Sequence, residues 1–297
     1  MELYKKNNLI AGALICSLGF FFAAATGACS KEVSPAISVL VILFFQNAFS
    51  LLLNLPEIVK HRLPQLKTKR LGLHFIRAST GFTSFLCLFA SLKSISLVDG
   101  MLLSYTEPLW IPFVALIWLK VKMKGYIWWG ILIGFAGIVL ILQPTGEGLS
   151  SGAILALLSG MLAAITLISI HRLAGTEPTY RTLFYNSVFG ILVTLPSIIL
   201  YFHLVSLKDL IYLSGVGLFT YLSQYLVTYS FRHANPTTLG PFCYTVVLFS
   251  GILGWIFWNE IPNTISFLGM ILVIAGGVLS VYFEQKYQKN IGLKTVP

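Results

Sequence analysis

Charged residues are scarce in this sequence. Only 10% of its 297 residues are Asp, Glu, Lys or Arg, whereas charged residues make up about a quarter of a soluble domain. The acidic ones are the rarest, with 10 Asp and Glu against 20 Lys and Arg. A chain this poor in charge is neither disordered nor an ordinary soluble enzyme, and we expect no nucleic-acid partner.

Cysteine and sequence motifs for cofactors are also sparse. The four cysteines, Cys16, Cys29, Cys87 and Cys243, form no CxxC pair and fall within or at the ends of apolar segments. We interpret them as packing residues rather than a disulfide frame or a metal site. The five histidines show no HExxH spacing, and the sequence has no GxxxxGK[ST] phosphate loop. We therefore expect no cofactor and no ATP-driven pump.

Apolar residues, in contrast, make up 57% of the chain and fall into ten long segments. A helix that crosses a bilayer needs about 20 mostly apolar residues. Only helices and closed barrels satisfy their backbone groups in lipid, and these segments are too long and too continuously apolar for barrel strands. The sequence thus predicts an all-α integral membrane protein with ten transmembrane helices. They span about residues 9–28, 36–55, 73–92, 97–119, 125–142, 152–170, 182–202, 209–231, 236–258 and 265–283.

The basic residues are distributed unevenly between alternate loops. Three of them, Lys31, Lys93 and Lys208, fall on one side of the membrane, Arg77 lies inside a helix, and the other sixteen fall on the opposite side. Because cytoplasmic loops retain Lys and Arg, both termini are predicted to be cytoplasmic. The apolar run after Lys6 could imitate a signal peptide, but we interpret it as the first helix.

A weak internal repeat appears at an offset of 139 residues. Asn47 falls on Asn186, Tyr105-Thr106 falls on Tyr244-Thr245, and Ala136-Gly137 falls on Ala275-Gly276. One offset covers four helix pairs without a gap, so we predict two halves, residues 1–148 and 149–297, within one membrane domain. Each half has five helices, an odd number, and the halves are therefore inverted relative to each other. Inverted repeats that meet at a midplane site are common among transporters.

Four segments carry a family resemblance. They are residues 130–144 (GILIGFAGIVLILQP), residues 258–277 (WNEIPNTISFLGMILVIAGG), Arg77 in an RxxxG setting, and Ser104 to Pro108 in the fourth helix. In this order and spacing they resemble the drug/metabolite transporter superfamily, specifically the EamA-type ten-helix carriers, over nearly the whole chain. Glu260 stands at the family's Glu position, whereas its first-half equivalent is Val121, and Gln46 stands where the family often has arginine.

The resemblance implies a secondary carrier for small organic solutes in a bacterial cytoplasmic (inner) membrane. Substrates in that family include amino acids, nucleotide-linked metabolites and drugs.

Glu107 is the strongest candidate for a substrate contact. It lies near the middle of the fourth predicted helix, where an ionised side chain costs about 3 kcal/mol and generally faces a cavity or a partner. Pro108 and Pro112 donate no backbone hydrogen bond and so loosen the helix beside it. A carboxylate there suits an ammonium group or a proton. The structural alternative is an ion pair with Arg77 that only fixes helix packing.

Arg77 begins a stripe of polar and small residues, including Ser84, which helical spacing places on one interior face. It could hold a substrate carboxylate, pair with Glu107, or extend to the nearby headgroups. Other candidates are polar or aromatic residues on the remaining helices, for which the alternatives are helix packing and interhelical hydrogen bonds. They are Tyr105, Trp110, Tyr221, Gln224, Tyr244, Asn47 and Asn186.

The sequence therefore predicts a secondary active transporter, and not an enzyme, for zwitterionic or cationic metabolites of the amino-acid type. Its partners would be a small-molecule substrate, the lipid bilayer, and a proton or counter-substrate, in a monomer or homodimer. Carriers of S-adenosylmethionine or of nucleotide-linked metabolites are alternatives. A membrane enzyme that modifies lipids is an alternative from another class. The basic loop at residues 56–72, which lacks carboxylates apart from Glu57, disfavours it.

Overall fold

The structure is a computed structural model that describes residues 9–33, 37–61, 66–118, 127–142, 150–174, 176–201, 205–230 and 240–290. Within these ranges the regular elements are helices, and there is no strand. They are α1 (Leu9–Glu32), α2 (Val39–His61), α3 (Leu71–Ser91), α4 (Leu97–Ser104), α5 (Glu107–Trp118), α6 (Ile127–Leu142), α7 (Ser151–Ala174), α8 (Thr179–Tyr201), α9 (Leu207–Ser230), a 3₁₀-helix (Gly240–Tyr244), α10 (Thr245–Trp258) and α11 (Thr264–Asn290).

Helices long and apolar enough to cross a membrane dominate the fold. Seven candidate spans lie in α1, α2, α3, α4 with α5, α7, α8 and α9, and shorter apolar helices lie at 129–140, 242–258 and 264–276. The expected all-α membrane class is confirmed, whereas the count of ten and the cytoplasmic termini remain predictions. Val121 with its basic neighbours, and Lys5, Lys6 and Lys294 near the two ends of the chain, lie outside the described residues.

The fourth predicted helix, residues 97–119, is wrong as a continuous element. It is two helices, α4 and α5, separated by a turn at Tyr105 and Thr106. Pro108 has no N–H with which to bond the Ser104 carbonyl, which weakens a continuous α-helix here, and proline fits the first turn of a new helix. Helix α11 extends beyond residue 283, the predicted end of the tenth segment, and continues to Asn290.

The helices pack in pairs that correspond under the 139-residue offset. Helix α1 lies against α9 and α3 against α7, while α2 pairs with α8 and α6 with α11. If each helix is replaced by its equivalent in the other half, the α1–α9 pair becomes the α7–α3 pair and the reverse. The α2–α8 and α6–α11 pairs each become themselves. This pattern supports the predicted division into halves, which remains a prediction.

Glycines allow α6 and α11 to approach backbone to backbone. A Cβ on Gly137 would meet the Gly269 carbonyl oxygen, and one on Gly276 would meet the backbone of Gly130 and Gly134. Small residues at such contacts are typical of helix association in membranes. The glycine-rich motifs of both halves therefore form one seam, which we call the glycine seam.

Candidate functional site

The helical geometry changes at two equivalent positions, which we call breaks. The first break is a turn at Tyr105 and Thr106 that separates α4 from α5, and the second is the change from the 3₁₀-helix to α10 at Tyr244 and Thr245, where the backbone stays helical. In the first, the Thr106 hydroxyl donates to the Leu103 carbonyl over 2.7 Å. In the second, Thr245 donates to the Phe242 carbonyl over the same 2.7 Å. The same local hydrogen bond thus accompanies both breaks.

Glu107 lies where these breaks converge. It is the first residue of α5, where the positive end of the helix dipole stabilises a carboxylate. Its charge interacts electrostatically with Tyr105 from the first break and with Cys243 and Tyr244 from the second. No described residue forms an ion pair or a hydrogen bond with its carboxylate. The Tyr244 hydroxyl, which is buried, also lacks a hydrogen-bond partner among the described residues.

We call Tyr105, Glu107, Cys243 and Tyr244 the junction site. It combines an unpaired carboxylate, a free buried hydroxyl and loosened helix backbone. Discontinuous helices near the middle of a membrane are the usual place for substrate and ion binding in transporters. Such an arrangement suits an ammonium group, another cationic group or a proton.

Arg77 is also buried without a partner, but at a different depth. Only 6% of its surface is exposed, and its Nε has no hydrogen-bond partner among the described residues. Neither an ion pair nor a longer electrostatic interaction links it to Glu107. The Glu107–Arg77 pair, which the sequence left open as a structural alternative, is therefore absent.

His74 lies three residues before Arg77 on the same helical face. It is 2% exposed and stacks on Tyr185 of α8, with ring centroids 4.7 Å apart. Its Nε2 lies 3.8 Å from Glu177 Oε2, beyond hydrogen-bond distance, and neither ring nitrogen has a hydrogen-bond partner. At this end of α3, Arg77 Nε and both His74 ring nitrogens are thus buried with no hydrogen-bond acceptor among the described residues.

Glu177 holds the nearby loop together. It accepts a hydrogen bond of 2.6 Å from the Thr68 hydroxyl and forms an ion pair with Arg181. Burial by itself would raise the pKa of Glu177, but the hydrogen bonds from Thr68 and Arg181 and the charge of Arg181 outweigh it and lower the pKa below its ordinary value. The carboxylate is therefore already compensated by groups other than Arg77.

A second ion pair lies at the opposite end of the bundle. Lys31 pairs with Glu260 and donates to the Ile95 carbonyl, while the other Glu260 oxygen accepts a 2.8 Å hydrogen bond from the Leu97 amide. Glu260 thus binds the first turn of α4, and its charge complements the dipole of that helix. Lys31 also lies 5.5 Å from the centre of the Trp258 ring. We call Lys31, Glu260 and the Leu97 amide the Lys31–Glu260 cluster.

Several predicted site residues instead bind other parts of the protein. Ser84 hydrogen-bonds to both the carbonyl and the hydroxyl of Ser159, joining α3 to α7. Asn47 donates to the Leu43 carbonyl over 2.8 Å and fills the space beside Gly190. Asn186, its repeat equivalent, is partly exposed, lies near Gly81, and has no hydrogen-bond partner among the described residues.

The remaining predicted residues lie around or away from the junction site. Trp110 donates to the Thr106 hydroxyl over 3.2 Å and packs edge-on against Phe135, with ring centroids 5.1 Å apart. Tyr221 stacks on Tyr225 and lies near Glu57 at the end of α2, so it is separate from the junction site. Gln224 is partly buried on the same helix.

Sequence reasoning missed His74, the role of Cys243 and the pairing of Lys31 with Glu260. His74 belongs to the five histidines that show no HExxH spacing, although its spacing of three residues from Arg77 is a usable signal. Cys243 was interpreted as a packing residue, but it adjoins Tyr244 in the second break. Lys31 and Glu260 are 229 residues apart, and no local pattern connects them.

Most of the chain matches one protein family. The sequence model of the EamA-like transporter family matches residues 10–143 and, a second time, residues 150–282. The chain belongs to this EamA-like family. The resemblance drawn from the sequence motifs is therefore confirmed.

Curated relatives of this EamA-like chain are bacterial transporters. The pseudopaline exporter CntI of Pseudomonas aeruginosa (strain UCBPP-PA14) is 25% identical over 90% of this chain and 94% of its own length. The S-adenosylmethionine uptake transporter of Rickettsia bellii is 23% identical over 86% of this chain and 88% of its own. A crystal structure with 14% identity has a TM-score of 0.66 over 93% of this chain and 97% of the solved one, a likeness of fold.

These matches and the apolar helices identify the EamA-like chain as a multi-pass integral membrane protein of the bacterial inner membrane. The family and the relatives named here are transporters of small molecules.

Proposed function

We propose that this protein is a secondary active transporter that moves zwitterionic or cationic, amino-acid-like metabolites across the cytoplasmic membrane by alternating access. The observation that carries the proposal is the unpaired Glu107 carboxylate at the point where two broken helices meet. An ionised group in a membrane helix is expensive and generally serves a substrate or an ion. Membership in a transporter family supports the same conclusion.

The alternating step follows from the two predicted halves. If residues 1–148 and 149–297 are inverted copies, exchanging their conformations produces a second state that opens to the other side. The matched helix pairs α1–α9 and α3–α7 support this mechanism, because each would take the arrangement of the other. The junction site lies between the halves, since Glu107 comes from one and Tyr244 from the other.

The named relatives narrow the substrate only in part. One takes up S-adenosylmethionine and another exports pseudopaline, so relatives within one family work in opposite directions. S-adenosylmethionine is cationic and bears an amino-acid group, which suits the Glu107 carboxylate and the aromatic rings around it. A carrier or exchanger of S-adenosylmethionine or a nucleotide-linked metabolite is therefore the second candidate. Glu107 would also serve proton coupling, as an alternative to exchange with a counter-substrate, in a monomer or a homodimer.

A membrane enzyme that modifies lipids finds less support. It would need an unengaged polar cluster near one membrane surface. The nearest arrangement among the described residues is His74 with Glu177, and there the carboxylate is occupied by Thr68 and Arg181.

Uptake into proteoliposomes tests the proposal. Radiolabelled amino acids and S-adenosylmethionine would be offered to wild type and to Glu107→Gln, with Glu57→Gln, an exposed glutamate at the end of α2, as the matched control. We expect saturable uptake that falls about 10- to 100-fold in Glu107→Gln, the value of a charge-assisted contact. Glu57→Gln should transport normally. Saturable uptake that is equal in all three proteins would remove Glu107 from the site.

A further inference from the structure

Among the described residues, Glu107 and Arg77 each lack an ion-pair partner, and they lie at different depths along the bundle. Resting on the proposed function, we infer that Arg77 and His74 form a second subsite that receives an anionic group, a carboxylate or a phosphate, of the same substrate. The substrate class is then an elongated metabolite whose cationic and anionic ends lie about 10 Å or more apart.

Arg77 and His74 have the properties of a ligand subsite rather than of a structural ion pair. Arg77 is 6% exposed and His74 2% exposed, yet Arg77 Nε and both His74 ring nitrogens lack hydrogen-bond partners among the described residues. Buried polar groups are normally paired, because an unpaired one loses its hydration without compensation. Arginine presents a fork of donors that matches a carboxylate or phosphate in two-point contact.

The charges around this subsite favour an anion. Glu177 is the nearest carboxylate to His74, and it is already held by Thr68 and Arg181. No described carboxylate contacts Arg77. The guanidinium thus remains an uncompensated positive charge inside the bundle.

Helix α7 gives a common reference for the positions of Glu107 and Arg77 along the bundle, because it contacts the helices that carry both residues. Gly160 lies directly against Thr106 of the first break. Six residues further along α7, Thr166 hydrogen-bonds to Thr80 of α3 over 2.8 Å. A helix rises about 1.5 Å per residue, so these contact levels differ by about 9 Å.

Arg77 lies further still from the level of Gly160. Helix α3 runs antiparallel to α7, as the Ser84–Ser159 contact shows, and Arg77 precedes Thr80 by three residues. Glu107 follows Thr106 by one residue, in a helix that runs parallel to α7. Its backbone therefore lies about 1.5 Å closer than Thr106 to the level of Arg77. The Arg77 and Glu107 backbones therefore differ in depth by about 12 Å.

A single α-amino acid cannot reach both groups at once. Its ammonium nitrogen and carboxylate carbon are only two bonds apart, whereas a span of about 12 Å is the length of three to four extended peptide units. A substrate that satisfies both charges must carry its cation near Glu107 and its anion near Arg77. This narrows the amino-acid-like substrates of the proposed function to extended molecules with charges of both signs.

Binding of zwitterionic oligoglycines tests the spacing, since these peptides differ only in the distance between their charged ends. Glycine through pentaglycine would be added to the purified full-length protein, and affinity measured by calorimetry. We expect affinity to rise by about tenfold or more between glycine and tetraglycine, whose ends are about 13 Å apart when extended. The rise should disappear in Arg77→Gln and in Glu107→Gln.

Blocked peptides assign each end to its residue. Tetraglycine amide lacks the carboxylate, so its affinity should fall in Glu107→Gln but not in Arg77→Gln. N-acetyl tetraglycine lacks the ammonium and should show the reverse. Arg70→Gln removes an exposed charge just before the same helix and is the matched control. Arg77→Lys should recover only part of the affinity, because the forked contact is lost.

Thermal unfolding shows whether a loss of peptide binding in Arg77→Gln is caused by misfolding. Replacing an unpaired buried charge should not destabilise the protein, so Arg77→Gln is expected to melt no lower than wild type in the absence of ligand. Equal affinity for all oligoglycine lengths, including none at any length, overturns the inference, as does an identical response of both blocked peptides. If Arg77→Gln shows the same saturable uptake as wild type in the proteoliposome experiment, this second subsite is overturned and the transporter function still stands.

Discussion

The two breaks share a local hydrogen bond and differ in charge. Both lie at a Tyr-Thr pair, and in both the threonine hydroxyl donates to the carbonyl three residues earlier. The charged side chains at the junction site, beside Arg77 and in the Lys31–Glu260 cluster do not repeat. At the offset of 139 residues, Glu107, Arg77, Glu177 and Glu260 correspond to Val246, Val216, Ser38 and Val121.

This difference distinguishes features of the fold from features of the proposed substrate site. A break that occurs at both positions is part of the architecture, whereas a charge that occurs at only one position makes the proposed site asymmetric. Val246 is fully buried at the position equivalent to Glu107. The second break therefore contributes backbone and the Tyr244 hydroxyl, while the first contributes the charge.

The largest expected effect comes from comparing Glu107→Gln with Val246→Thr. The first substitution removes the charge at one break, and we expect transport to fall about 10- to 100-fold. The second adds a hydroxyl at the equivalent position with little change of volume, and transport should fall by less than about twofold, because that hydroxyl can bond a nearby backbone carbonyl. Initial uptake rates in proteoliposomes provide the measurement. Equal losses in both variants would mean that the breaks share one role.

The Lys31–Glu260 cluster binds the start of α4, the first part of the helix that contains the first break. Glu260→Gln should lower the free energy of unfolding by about 1–3 kcal/mol, because Lys31 loses its partner and the start of α4 loses a charged acceptor. Neutralising Glu32 is the matched control: its pair with Lys208 is exposed, and such pairs contribute about 0–1 kcal/mol. Denaturation monitored by circular dichroism would compare the two. A larger loss in Glu32→Gln would contradict the asymmetry.

Asn47 and Asn186, which correspond under the 139-residue offset, should also differ in how much they contribute to stability. Asn47→Ala removes a buried hydrogen bond and the packing beside Gly190, and should cost about 1–2 kcal/mol of stability. Asn186→Ala removes no hydrogen bond and should cost less than about 0.5 kcal/mol. Thermal unfolding of both variants in one detergent tests this order, and the reverse order would show that Asn186 is the structural member.

The smallest expected effect is a pH dependence of thermal stability that comes from Glu177, in the second predicted half. The folded-state pKa of Glu177 is lower than its unfolded value, so the carboxylate stabilises the fold above the unfolded pKa. That contribution should disappear as pH falls through the folded pKa. Melting temperatures of wild type and Glu177→Gln should therefore converge toward acidic pH. Ser38, the equivalent residue, has no charge to lose, and Ser38→Ala should show the same offset at every pH.

Local patterns predicted much of this fold. The apolar runs located the helices, and the polar stripe on α3 correctly placed Arg77 and Ser84 toward the interior. The prolines after Glu107 suggested loosened backbone there, but apolar composition continued through the break and concealed where α4 ends. Hydropathy reports the length of a membrane segment and does not register a missing backbone donor within it.

Relations between distant residues lay beyond the sequence. A pair of Glu107 and Arg77 was plausible because both are costly in a membrane, yet their separation depends on how α3 and α5 align along α7. The partner of Glu260 is Lys31, whose charge could as well have remained in solvent. Such partners are chosen by tertiary packing, and composition cannot distinguish one cation from another.

The glycine seam has a consequence for ancestry. The same helix of each half, α6 and α11, meets its own counterpart there, as surfaces do across the two-fold axis of a homodimer. A chain of half this length that carried such a helix would bring its own complementary surface and would need a second copy to complete the fold. In the single chain this self-complementary contact lies within one molecule, and a side chain added at Gly137 or at Gly276 would meet the backbone of the facing helix.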